Sequence, residues 1–257
     1  MLGLGARILK PSAGPTQYRT RTSCTFTEAG SDYIARGSAS SHFRVDSKDF
    51  SVSGWIKLTA DASSVSNEDG YPIFSAGAVN NGGFWIQYVD LSGDSERFAL
   101  VTDTGSAQST LLNDTDVDHD IWYHLVFTYD VSATTCKIYV NGSLDATGAS
   151  VSAPAAFSGN ATIGANSADA IDAIMCEIAF FQNICLTADD VEYIYNNGRP
   201  KDLTKTGSLK SYLKGYWRLN SDDATGTDNV LDYSGYDHHA TTSGLTDSDF
   251  DTTDVPG

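Results

Sequence analysis

The chain has 257 residues, a length that all-β sandwiches often reach as one domain. Its formal net charge of -17 argues against a broad nucleic-acid-binding surface, because such a surface would repel phosphates. No apolar run approaches the roughly 18 residues of a membrane helix, and residues 1–6 are too short for the apolar core of an export signal, so we expect synthesis in the cytoplasm without membrane insertion.

The two ends of the chain carry opposite charge. Residues 221–257 contain nine aspartates and no Lys or Arg. The first 22 residues contain two prolines, little periodicity and no acid, and we predict an extended basic arm carrying Arg7, Lys10, Arg19 and Arg21. Either these are two solvated tails, or the arm docks on an acidic neighbour such as the tail of another copy.

Segments rich in β-branched and aromatic residues recur between Gly, Asn and Asp turns, a pattern typical of a sandwich and not of βαβ units. The strand predicted at 121–130 is apolar on both faces, which places it in the middle of a two-layer structure. Asn141-Gly142 predicts a type I′ turn. The predicted strands are 23–27, 32–36, 49–59, 71–76, 83–90, 96–102, 121–130, 135–141, 159–164, 174–181 and 212–219.

One short helix is predicted near 187–197. Thr187 can cap its start, with Asp190 three residues on completing a capping box. Gly198 suits a left-handed C-cap, and Pro200 blocks continuation. The helix is expected to pack one apolar face on the sandwich.

The cysteines and histidines show no strong site pattern. The cysteines lack C-x-x-C spacing, so we expect buried thiols at Cys24, Cys136, Cys176 and Cys185. The pair His238-His239 beside Asp237 is either a metal-binding group or part of a solvated loop.

Two consecutive strands carry a resemblance to a known family. The run WYHLVFTYD (122–130), followed by CKIYVNGSLD (136–145), resembles the central hairpin of laminin-G-like domains in the concanavalin A-like lectin/glucanase superfamily. CTFTEAGSDYI (24–34) and DFSVSGWIKL (49–58) resemble the first two core strands of that family. The similarity continues downstream and covers about residues 22–203.

The resemblance implies an all-β fold, a two-sheet antiparallel jelly-roll sandwich with one short helix and extended N- and C-terminal segments. The expected divisions are an extended arm at 1–22, a jelly-roll core at 23–203, and a C-terminal strand and acidic tail at 204–257 packed on the same domain. This fold serves lectins, hydrolases and scaffolds alike, so function must come from the residues of a site.

An enzymatic function is not expected. Related glucanases carry E-x-D-x-x-E on one strand, which brings two catalytic carboxylates within about 5 Å. This chain has no such run, and Glu177 is the one acid in the strand predicted at 174–181. The chain also lacks a G-x-S-x-G elbow, a Walker loop and a G-x-G-x-x-G motif.

Calcium is a candidate cofactor, because many laminin-G-like domains hold Ca²⁺ on the sandwich rim. The resemblance implies ligands at positions rich in acids in the family, here Glu28, Asp32 and Glu177. A second acidic loop lacks the Gly and the final Glu of an EF-hand, although its acids alternate at Asp114, Asp116, Asp118 and Asp120. Either loop can equally be solvated charge.

Sugar binding would use exposed aromatic side chains beside amide or acid groups. We predict Trp85 and Tyr88 as an outward-facing pair, although aromatic residues within strands are more often core.

The C-terminal part carries a second resemblance. In many laminin-G-like proteins a W-x-L … D-x-S-G element precedes the core, but here GYWRL (215–219) and DYSGYDHHAT (232–241) follow it. This order, with the D-V-P ending, resembles structural proteins of tailed bacteriophages. It implies a non-enzymatic virion protein, made in the host cytoplasm and located in the virion.

Such a protein would be a capsid decoration or tail appendage. Its partners would be other virion proteins or copies of itself, with a cell-surface glycan as a further partner bound by weak adhesion. The alternative is a stand-alone carbohydrate-binding module, and a glycoside hydrolase is less favoured.

Overall fold

The computed structural model describes residues 18–37, 42–60, 70–91, 95–165 and 169–257. Two antiparallel sheets of seven strands each form a sandwich, as predicted. The first sheet has the order β1 (Cys24–Phe26), β12 (Ala173–Gln182), β3 (Phe50–Leu58), β8 (Trp122–Asp130), β9 (Thr135–Val140) and β10 (Ser143–Ala149), with β13 (Leu213–Trp217) also paired to β12. The second has the order β14 (Thr241–Ser243), β2 (Tyr33–Arg36), β11 (Ala161–Ile163), β4 (Tyr71–Gly77), β5 (Gly83–Leu91), β6 (Ser95–Asp103) and β7 (Gln108–Leu112).

All eleven predicted strands are present. The described residues form three more strands that the sequence pattern does not predict, β7, β10 and β14, each at the edge of its sheet. Edge strands bury less of their surface, and β10 has the polar sequence SLDATGA. A strand of this kind lacks the β-branched and aromatic residues on which sequence prediction depends.

The hairpin between β9 and β10 has the predicted turn. Asn141 and Gly142 both have positive φ, 49° and 83°, as a type I′ turn requires. A Cβ atom on Gly142 would lie 2.6 Å from Cδ1 of Tyr195, so this position excludes larger residues. Strand β8 is buried on both faces, with Phe127 in the core between the sheets and Val126 in a second apolar cluster.

The space between the sheets is filled by aromatic rings. Phe50, Phe84 and Phe180 lie with ring centroids 4.4 to 6.3 Å apart. A gap of about 20 Å³ lined by Val52, Phe74 and neighbouring residues is apolar and far too small for a sugar ring, since ligand pockets measure about 300–1,000 Å³. A binding site therefore has to lie on the outer faces or the rims.

The helix α1 (Ala188–Tyr195) covers part of the outer face of the first sheet. Thr187 and Asp190 form the predicted capping box. The left-handed C-cap is Asn196 (φ 53°), so the prediction of Gly198 as the cap is wrong by two residues. Asparagine tolerates this conformation because its side chain can bond locally.

The C-terminal residues contribute to both sheets. Strand β13 lies beside β1 on the same edge of β12, and β14 pairs with β2. An isolated bridge joins Ser23 to Thr252, so the segment before β1 lies beside the tail.

All four cysteines are free. Cys24, Cys136 and Cys176 are buried as expected, whereas Cys185 is only half-buried. Within the described ranges, no helix is long and apolar enough to span a bilayer.

Candidate functional site

Glu177 lies at a bulge in β12 and is fully engaged by protein hydroxyls. Its backbone has a positive φ of 57°, and the register of β12 against β3 shifts around it. Tyr18 Oη and Thr20 Oγ1 donate to Oε1 at 2.6 and 2.5 Å, and Tyr216 Oη donates to Oε2. Burial raises the pKa of Glu177, although these bonds and Arg218 oppose the shift. The carboxylate anchors residues 18–20 to the first sheet.

The three predicted calcium ligands do not form a site. Glu28 is exposed, and Asp32 accepts hydrogen bonds from the backbone N–H and the hydroxyl of Thr27 at 2.9 and 2.7 Å. Among the residues that the structure describes, no three His, Cys, Asp or Glu side chains converge into a group that could hold a metal ion. The prediction of these ligands is therefore wrong, because Glu177 and Asp32 are committed to local hydroxyl and backbone donors.

The acids of the second acidic loop, at 114–120, also do not converge on one point. Asp116 pairs with Arg97, and the backbone of Asp114 donates to Asp145 at 2.7 Å. These acids, all within the described range 95–165, form no group of three that could hold a metal ion.

The predicted outward pair is buried. Trp85 is 5% exposed and Tyr88 is 1% exposed. Strand alternation sends Phe84, Ile86 and Tyr88 into the core between the sheets, and Tyr88 Oη bonds to His119 Nε2 at 2.9 Å. The prediction of Trp85 and Tyr88 as a sugar platform is wrong, because both faces of β5 are covered.

The basic arm is only partly described. Arg7 and Lys10 lie outside the described residues. Arg19 and Arg21 are exposed. Arg19 also lines a cavity of about 100 Å³ where residues 18–20 meet Arg199 and the tail residues 255–257.

A half-buried tryptophan lies at one end of the outer face of the first sheet. Trp122 is partly exposed, whereas the other three tryptophans are buried, each at most 5% exposed. It is paired across the strands with Lys57. Trp122 Nε1 donates to Oδ1 of Asp254 at 2.8 Å, and Lys57 Nζ donates to Oδ2 at 2.6 Å. Asp120 approaches the same ammonium at 4.0 Å. We call Lys57, Asp120, Trp122 and Asp254 the rim site.

The tail that supplies Asp254 is held by the segment around β1. Ser23 N–H and Oγ donate to the backbone oxygens of Thr252 and Asp254 at 2.9 and 2.7 Å, and the hydroxyls of Thr25 and Thr252 bond at 2.6 Å. These contacts fix the tail backbone on both sides of residue 253. The carboxylate therefore reaches Trp122 and Lys57 from a defined position.

The rim site keeps unused hydrogen-bonding capacity. Partial burial raises the pKa of Asp254, but the bonds from Lys57 and Trp122 outweigh this effect and hold the pKa below its usual range. An ionised carboxylate has about four lone-pair sites and an ammonium has three donors, so each group can bind further partners. An indole beside such a pair can stack on the C–H face of a ring while the charged groups bond to its hydroxyls.

The buried carboxylates elsewhere are occupied by structural hydrogen bonds. Asp103 accepts from the backbone of Asn80 at 2.8 Å and of Gly82 at 3.2 Å. Asp232 accepts from Tyr216, Ser234 and His238 backbone groups, each at 2.9 Å. These acids hold turns in place.

Comparison with known proteins identifies the fold. A family model described as the concanavalin A-like lectin/glucanases superfamily matches residues 28–192, more than half of the chain. No curated protein matches the sequence. A protein from Bacteroides ovatus, provisionally described as carbohydrate-binding, superposes with a TM-score of 0.62 at 16% identity and 93% coverage of this chain. This chain spans 62% of that protein.

Two further similar structures are smaller matches. A heptameric pentraxin from Limulus polyphemus has a TM-score of 0.45 at 17% identity, covering 70% of this chain and 78% of its own. Domain 4 of an extracellular arabinanase from Geobacillus stearothermophilus, solved with arabinotriose, has a TM-score of 0.44 at 19% identity, covering 59% and 68%.

Proposed function

The chain belongs to the concanavalin A-like lectin/glucanase superfamily, and we propose that it is a carbohydrate-binding module without catalytic activity. The observation that carries this proposal is the rim site. There a half-buried indole lies beside a carboxylate and an ammonium that both retain free hydrogen-bonding capacity. The similarity in fold to the Bacteroides ovatus protein, provisionally described as carbohydrate-binding, supports the same proposal.

The absence of catalysis is inferred from how the acids are used. Glycoside hydrolysis needs two carboxylates that are free to act as acid and as base or nucleophile. Glu177, Asp103 and Asp232 instead accept structural hydrogen bonds. At the rim, Asp254 is ion-paired and Asp120 is 79% exposed, which leaves neither in the apolar setting that raises the pKa of a general acid.

The experiment is a glycan array probed with the purified chain, followed by calorimetry on the best hit. We expect micromolar affinity for a sugar without a charged substituent, because the rim site has two carboxylates and one ammonium. Trp122→Ala should weaken binding at least about tenfold, through loss of stacking and of the Asp254 contact. Tyr193→Ala is the matched control, since Tyr193 is an exposed aromatic residue on α1.

Because Trp122→Ala also releases a bond to the tail, Lys57→Met serves as a second variant, and thermal unfolding reports whether each variant folds. Equal loss of affinity in Trp122→Ala and Tyr193→Ala would contradict the location. Failure to bind any glycan would contradict the function.

A structural role in the virion of a tailed bacteriophage is a second proposal. Its support is the order of the C-terminal motifs and the exposure of Arg19 and Arg21, which make no ion pair within the described part of the chain. These guanidinium groups are available to an acidic partner, either another virion protein or a second copy.

The test is the double variant Arg19→Glu with Arg21→Glu. It leaves the hydrogen bonds of Tyr18 and Thr20 to Glu177 in place, which deletion of residues 1–22 would remove. We expect loss of incorporation into particles, measured by mass spectrometry of purified virions. Unchanged incorporation, or a stable monomer whose one measurable property is glycan binding, would refute this role.

A further inference from the structure

A cluster of basic and aromatic side chains comes from the end of β2, from β13 and from the loop before β14, apart from the rim site. Arg36 is the last residue of β2, His42 follows it in the chain, and Lys214 comes from β13. Tyr236 and His238 belong to the loop that leads into β14. We call these five residues the basic patch, and it shares no residue with the rim site.

The rings and cations of the basic patch are close together. The ring centroids of His42 and His238 are 4.4 Å apart, and those of Tyr236 and His238 are 5.8 Å apart at an interplanar angle of 21°. Lys214 Nζ lies 3.8 Å from the centroid of the Tyr236 ring and 2.5 Å from its hydroxyl. Tyr236 remains 47% exposed, so a solute can reach the patch.

Among the residues that the structure describes, no carboxylate forms an ion pair with Arg36 or Lys214. The buried Nε of Arg36 has no hydrogen-bond partner, and Arg36 makes no ion pair within the described ranges. The nearby carboxylate of Asp232 accepts four hydrogen bonds, from the N–H of Tyr216, the N–H and hydroxyl of Ser234, and the N–H of His238. Its lone pairs are therefore used within its own turn.

His238 adds a donor that depends on pH. His238 Nδ1 lies 2.7 Å from the backbone oxygen of Lys214, which can only accept, so Nδ1 carries a hydrogen and Nε2 can donate to an anion only when the ring is protonated. Burial lowers the pKa of His238, and the neighbouring His42 and Arg36 add to this shift, whereas the hydrogen bond to Lys214 and the carboxylate of Asp232 oppose it. A bound anion would oppose this repulsion.

We propose that the basic patch binds an oxyanion, a carboxylate, sulfate or phosphate group, carried by a small molecule or by an acidic sugar. A chain with 33 acids and 16 Lys and Arg residues can neutralise its cations internally, as it does at Arg44 and Arg218. Arg36 and Lys214, in contrast, make no ion pair among the described residues, and from this we infer that their counter-charge comes from a ligand. Tyr236 supplies an aromatic surface for the body of the ligand.

The test is an NMR titration of the full chain at constant ionic strength, following the imidazole signals of His42 and His238. The probes are sulfate, glucuronate and glucose, which separate the free anion, the anion on a sugar and the neutral sugar. We expect saturable shifts with sulfate, with glucuronate or with both, and none with glucose. Saturation by glucuronate alone would assign the patch to acidic sugars.

Arg36→Gln should weaken anion binding at least about tenfold, with Lys214→Gln as a second variant in case the first fails to fold. Arg21→Gln is the matched control, because it removes the same charge from an exposed residue outside the patch. The absence of saturable shifts with both anions, or equal affinity in Arg36→Gln and Arg21→Gln, would overturn the proposal. Neither readout depends on sugar binding at the rim site.

Discussion

At the scale of single residues, His124 shows how burial determines protonation. Its side chain is 3% exposed, and its ring lies 4.9 Å from that of Trp55 and 5.7 Å from that of Tyr195. Nδ1 has no hydrogen-bond partner, and burial lowers the pKa of His124 to about 3. His124 lies in a strand that is buried on both faces, which accounts for its packing, and the protein leaves its Nδ1 without a partner.

His124→Phe should make the protein less sensitive to acid. In the unfolded chain His124 takes up a proton below about pH 6.5, whereas the folded state excludes it, so stability is complete above pH 6.5 and is lost as pH falls. Between pH 7 and pH 5 this residue should cost the wild type about 2 kcal/mol. Urea unfolding of both proteins at pH 7 and pH 5 measures how much free energy of unfolding each one loses. Equal losses in the wild type and in His124→Phe would show that His124 is not neutral when folded.

At the scale of elements, the tail and the segment before β1 form one clasp on the first sheet. Ser23 holds the tail backbone, and Asp254 joins it to Lys57 and Trp122. The site depends on this clasp, because its carboxylate comes from outside the sheet. Asp254 is separated from Lys57 by 197 positions in the chain and from Trp122 by 132.

Asp254→Ala should lower the free energy of unfolding by about 1 kcal/mol. The effect is modest because the carboxylate is 41% exposed and solvent screens the ion pair. For a chain of this size that loss lowers Tm by about 2–4 °C. Calorimetry with Asp251→Ala as the control checks this, since Asp251 is exposed in the same segment. Equal Tm values for the two variants would mean that the side-chain bonds of Asp254 to Lys57 and Trp122 contribute nothing to stability.

Sequence patterns predicted the strands and the helix better than they predicted the site. Strands such as β8 are dense in aromatic and β-branched residues, and such composition predicts pairing wherever both faces are buried. The course of the polar tail has no periodicity, so the meeting of Asp254 with Trp122 could not be foreseen. In the sequence, Trp122 belongs to the hairpin that indicates the fold, and nothing in its motif points to binding. Its place at the end of β8, where one face of the strand reaches the rim, is the one indication of its role.

Four of the five residues in the failed site predictions share one physical cause. Glu177, Asp32, Trp85 and Tyr88 are each buried or bonded within the protein, whereas Glu28 is exposed. A sequence states which groups are present. It does not state which of them the protein itself buries or satisfies, and a ligand can use only exposed groups that keep unused hydrogen-bonding capacity.

At the scale of the whole molecule, charge separates two surfaces. The net charge is -17, and the rim site with Asp120 and Asp254 shares that negative character. The basic patch has the opposite character, with Arg36 and Lys214 beside two histidines. The rim should therefore favour uncharged sugars and the patch should favour anions. The two proposals can be tested independently, because the rim site and the basic patch share no residue.

The most direct test of the central claim is a crystal structure of the chain with the best oligosaccharide from the glycan array. We expect a sugar ring stacked on Trp122, with its hydroxyls bonded to Asp254 and Lys57. A sugar bound on another surface, with the Trp122 indole still facing solvent, would contradict the account.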